Sequence, residues 1–100
     1  MSSGSKQALR DAIRRLHGCE PTWVESAPVR ETFEGDVVWE GLVDVFDLEG
    51  HPETTRCYAW SHVTNEGKTR YVAVLHVPPV DSPQAAVRAA IVQEFRTSTE

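Results

Sequence analysis

Four histidines, two cysteines and a run of carboxylates are the side chains of this 100-residue chain that could do chemistry. Cys57 is the candidate nucleophile, because a thiol turns reactive where a neighbour promotes the thiolate and an oxyanion site faces it. Its setting, Arg56-Cys57-Tyr58-Ala59-Trp60, reads as the middle of a strand and predicts an inert, packed thiol. His17-Gly18-Cys19 puts two kinds of metal ligand close together, but no third ligand stands at metal-binding spacing. His51, His62 and His76 are scattered and read as surface or strand-end residues. The expectation is no metal and no cofactor, with catalytic residues unassigned. Glu40 and Asp44 lie four apart in one strand-like stretch, and Glu31 is within reach if its own stretch pairs with theirs. Two acids in a sheet groove divide acid and base work when their pKa values separate. A solvated acidic edge explains the same residues without any catalytic partner. Phosphate-loop, dinucleotide and zinc patterns are absent, and no serine sits in a nucleophile elbow.

The aromatic residues Trp39, Tyr58 and Trp60 are a different kind of candidate. They suit base stacking or a small-molecule pocket, and equally a core or a subunit interface. Arg56 and Arg70 are the cations expected near them, fewer than a nucleic-acid platform brings.

The elements that must position these side chains follow from periodicity. Ala8, Leu9, Ala12, Ile13 and Leu16 form one apolar stripe and predict a helix over 6–17, capped by Ser5 and ended by Gly18. Residues 23–33 predict an edge strand, or two short pieces with a bulge, because Pro28 cannot donate to a central ladder. Glu34-Gly35-Asp36 predicts a tight reversal into a second strand over 37–48. A third strand is predicted over 55–63, a turn at Asn65-Glu66-Gly67-Lys68, and a fourth strand over 69–77. Asp81-Ser82-Pro83-Gln84 opens a second helix, with Asp81 or Ser82 as cap, and Val87, Ala90, Ile91 and Phe95 share its apolar face. One domain over 1–100 is expected, with 1–5 and 97–100 frayed. The fold expected is α+β: an antiparallel four-stranded meander with both helices on one face, in the order α-β-β-β-β-α.

The third and fourth strands propose a register. If Val63 pairs with Thr69, Tyr58 faces Val74, Trp60 faces Val72 and His62 faces Arg70, while Cys57, Ala59 and Ser61 face Leu75, Ala73 and Tyr71 on the other side. Val37, Trp39, Gly41, Val43 and Val45 point one way from the second strand. Val38, Glu40, Leu42, Asp44, Phe46 and Leu48 point the other. Both faces are thus apolar, unlike a one-sided antiparallel sheet. With two helices on the small-residue face, the other is left bare. That predicts an interface or ligand surface of Trp39, Val43, Tyr58, Trp60, His62, Arg70, Val72 and Val74. The reverse assignment, with the aromatic face as core, is equally compatible with the pattern.

Charge narrows the partners. The net charge of −5 divides into +3 over residues 1–19, −9 over 20–53 and +1 over 54–100. The acidic hairpin repels a phosphate backbone. Two cysteines are too few for a disulfide scaffold and read as reduced thiols. No apolar run approaches the ~20 residues of a membrane span, and residues 1–6 precede no signal-peptide core, so a cytoplasmic location and no membrane contact are expected. The order of elements resembles the double-stranded-RNA-binding domain, a helix, three strands and a helix. This chain has a fourth strand, and Asp81-Ser82-Pro83-Gln84 stands where that family places lysines, so no residue role is carried over. The function expected is a small, acidic, non-enzymatic interaction module, homodimerising or binding a protein partner through an apolar sheet face. The alternatives are a small-molecule-binding protein or enzyme using His62, Arg70, Glu40 and Asp44 between sheet and helices, and RNA binding by Arg10, Arg14 and Arg15 of the first helix.

Overall fold

A computed structural model describes the backbone of residues 2–63 and 66–98 and the side chains of residues 6–63 and 66–93. The chain runs α1 (Ser2–His17), β1 (Glu20–Phe33), β2 (Asp36–Glu49), β3 (Arg56–Val63), β4 (Thr69–Leu75) and α2 (Pro83–Ser98). The four strands form one open antiparallel sheet in the order β1-β2-β3-β4. This is the predicted α+β order and meander.

Local chemistry accounts for the ends. Gly18, at φ 65°, leaves α1 with its N–H on the Arg14 carbonyl at 2.9 Å. The helix backbone begins at Ser2, so Ser5 lies inside it and is not its cap. At the other helix, Ser82 is the cap: its Oγ accepts the Ala85 N–H at 3.1 Å, and Pro83 occupies the first helical position. Gln84 closes no capping box and reaches across to β1 instead. The β1–β2 reversal uses Glu34 and Gly35, both at positive φ. Asn65 and the Phe95 side chain lie outside the described residues; Gly67 of the β3–β4 turn takes φ 80°.

The β3–β4 register is the predicted one in every pair, from Cys57↔Leu75 to Val63↔Thr69. Strand β1 is an edge strand and longer than expected. It skips a partner at Val24, as β2 does at Val38, so the long hairpin carries two bulges.

The helices do not share a face. Leu9 and Ile13 of α1 pack with Phe46, Leu48, Cys57 and Ala59, and with Tyr71, Ala73 and Leu75 at the margin. Ala86 and Val87 of α2 pack with Val29, Val43, Val45, Tyr58 and Trp60, with Trp39, Val72 and Val74 alongside. Cys57 and Ala59 alternate with Tyr58 and Trp60 along β3, so the two helices cover opposite sides. Residues 76–82 give the chain enough length to round the sheet and bring α2 to the far side. The expectation of two helices on one face and a bare second face is therefore corrected. Both faces are apolar because each receives its own helix.

Candidate interaction surface

Three of the eight predicted surface residues are interior. Val43 is fully buried and Tyr58 and Trp60 are 3% exposed beneath α2. Trp39, Val72 and Val74 are half-buried against the same cluster. His62 is half-buried and Arg70 exposed, paired across the outer ends of β3 and β4. Neither meets Glu40 or Asp44, which lie on the α1 side of β2. The four polar residues proposed for one pocket are thus on two faces.

Each carboxylate has a local task. Asp44 accepts hydrogen bonds from the Trp23 indole N–H at 3.0 Å and from the Ser26 hydroxyl. Glu40 takes two N–H groups of Arg30, at 3.1 and 3.2 Å. Glu31 points to the α2 side, where Gln84 and Arg88 hold it. Arg14 is engaged by Asp11 and Glu20, and the Arg14 contact holds the Glu20 carboxyl below its usual range. Burial, with the neighbouring Cys19 adding to it, pushes the Cys57 thiol up to about 12. At neutral pH it is a thiol and not a nucleophilic thiolate. Tyr58 donates to or accepts from His76 Nδ1 at 2.6 Å, and burial raises the phenol. This contact anchors the β4 exit to the sheet.

A different region stands open. Among the described residues the β2–β3 ladder covers only Asp44↔Ala59, Val45↔Tyr58, Phe46↔Cys57 and Asp47↔Arg56. Beyond Asp44, β2 stays paired with β1 and β3 with β4, and the sheet parts between them. The rings of Trp39 and Trp60 meet edge to face at 5.7 Å across the opening on the α2 side. Gly41 makes room for this, since a Cβ there would come within 3.2 Å of the Trp39 ring.

Solvent reaches the other side of the opening. Leu42 is 61% exposed on β2 and Val63 is 68% exposed on β3. Helix α1 covers Phe46, but Leu42, four residues back on the same side, escapes it. Pro28, Arg30, Glu40, Gly41 and Leu42 line an open groove of about 450 Å³ with Val29 beneath. Exposed Phe33, Val37 and Val38 continue the apolar surface toward the hairpin tip. The groove is too open to enclose a small molecule, whose sites bury most of the ligand.

Sequence reasoning placed Val38 and Leu42 on the less apolar side of β2 and passed over them. One signal was present: residues 37–43 contain a single charge and no proline, while the neighbouring strand carries Pro21 and Pro28. Among the described residues no three His, Cys, Asp or Glu side chains gather as a metal site, and no helix is long and apolar enough to cross a membrane. No known family model, curated protein or solved structure matches the chain.

Proposed function

We propose that this protein is a non-enzymatic interaction module that binds another polypeptide through the free stretch of β2 and the apolar side chains beside it. The observation that supports this reading is the early departure of β2 from β3. Among the described residues, 36–43 pair with β1 alone, and their main-chain groups on the β3 side have no ladder partner. An added strand supplies those hydrogen bonds, while exposed Leu42 and Val38 give it side-chain contacts. The two faces first suspected are each occupied by a helix, so the contact is at an edge instead of a face.

The test is a selection of displayed decapeptides on the purified protein, followed by amide hydrogen exchange of each complex. Peptides that slow exchange at 37–43 by ten-fold or more, and that lose binding to the Leu42→Lys variant, are the expected result. Binders that all map elsewhere, or no binders, would remove the reading.

A further inference from the structure

We infer that the segment received by the β2 edge is an extended strand alternating apolar and cationic side chains, contributed by a different protein and not by a second copy. This rests on the edge-binding reading above and adds the chemistry of the occupant. Charge selects the occupant. Residues 25–44 hold Glu25, Glu31, Glu34, Asp36, Glu40 and Asp44 against Arg30 alone, a net charge of 1 − 6 = −5. Arg30 is already bound to Glu40, and the side chain of Glu31 is covered by α2. Glu25, Glu34 and Asp36 are exposed.

A second copy pairing β2 with β2 in antiparallel fashion brings one acidic arm onto another. Centred on Glu40 it sets like charges directly opposite, which destabilises a strand pair. Centred elsewhere it still lays one arm of net charge −5 along another, with neighbouring carboxylates within a Debye length, ~8 Å at physiological salt. A cationic strand reverses the sign of each of these terms.

The apolar requirement is equally local. An added strand places alternate side chains on the α1 side, where Leu42, Pro28 and Val63 are exposed. Its other side chains fall toward Trp39 and the α2 side. The outer edge of β1 is guarded by Pro21 and Pro28, as edges that must not pair commonly are. The 37–43 edge carries the Val38 bulge and a single charge, Glu40, but no proline, and Glu40 is already held by Arg30.

Three synthetic decapeptides test this on the full chain: alternating Lys-Val, Thr-Val and Glu-Val. Amide exchange at 37–43 and Trp fluorescence report binding, and sedimentation velocity reports self-association. The Lys-Val peptide is expected to bind at least ten-fold tighter than Thr-Val in 20 mM salt, with the difference shrinking in 500 mM salt. Glu-Val should not bind. The exposed-turn double variant Glu34→Lys, Asp36→Lys should narrow or invert that order while leaving the circular dichroism spectrum unchanged. Equal binding of Lys-Val and Thr-Val would overturn the cationic requirement and leave the edge reading standing. Concentration-dependent protection of 37–43 in a sedimenting dimer would name a second copy as occupant and overturn the inference, again without removing the edge. Protection by none of the three peptides, with a monomer at all concentrations, would end both.

Discussion

The two halves of the sheet are built from similar residues and end differently. Where β2, β3 and β4 run together, each side carries a helix, and Phe46, Val43, Cys57 and Ala59 are completely buried. In the outer half of the β1–β2 hairpin the same mixture of valine, leucine and aromatics lies half in water, with Phe33 66% exposed. Composition does not separate these regions; coverage does. An apolar strand becomes core where a helix reaches it, and becomes a contact surface where the helix stops short.

This comparison sets an order of effects. Phe46→Ala, in the doubly covered half, should cost about 3–5 kcal/mol by urea denaturation, since a large cavity opens where α1 and the sheet meet. A loss below ~1 kcal/mol would mean that the α1 side is loosely packed. Next comes the pH dependence of Cys57. Its folded pKa is raised to about 12 from an ordinary value of 9.0. The stability it contributes is whole below pH 9.0 and is lost as pH rises toward 12. Wild type should therefore weaken over that window more steeply than Cys57→Ala, as followed by thermal melts; parallel curves would place solvent at the thiol.

Ser82→Ala removes the α2 cap and should cost about 1 kcal/mol. It should also speed amide exchange in the first turn of α2, the cover of the aromatic side, while sparing α1. Smallest is Leu42→Ala in the open half, expected within about 0.5 kcal/mol of wild type in the free protein. A loss of 2 kcal/mol or more there would show that the hairpin side chain belongs to the core, and would erase the distinction between the halves.

Much of the architecture was legible because short-range rules govern it. The tight β3–β4 connection with Gly67 fixes the pairing of Tyr58 with Val74 and Trp60 with Val72. Strand alternation alone sorts Val43 and Val45 from Phe46 and Leu48. Pro28 correctly marks an edge strand. The side taken by α2 was not legible, because a seven-residue connection over 76–82 permits either face. The apolar excess on both faces points to a second cover, which a partner or the chain's own helix satisfies equally well in the sequence; the cover is α2. Nor did residues 37–43 betray where β2 leaves β3. Their valines and tryptophan read as any central strand does, and ladder length depends on twist and on the bulges at Val24 and Val38. The candidate surface was hidden for that reason.

The covering of the aromatic side by α2 bears on synthesis. Translation emerges N-terminus first, so α1 and the first hairpin leave the ribosome well before Pro83. Until α2 is released and docks, Val43, Tyr58 and Trp60 have no lid, and a chain that ends near residue 80 leaves them all uncovered. Truncation before α2 should thus yield a sticky, chaperone-dependent product, although every strand would already have been made.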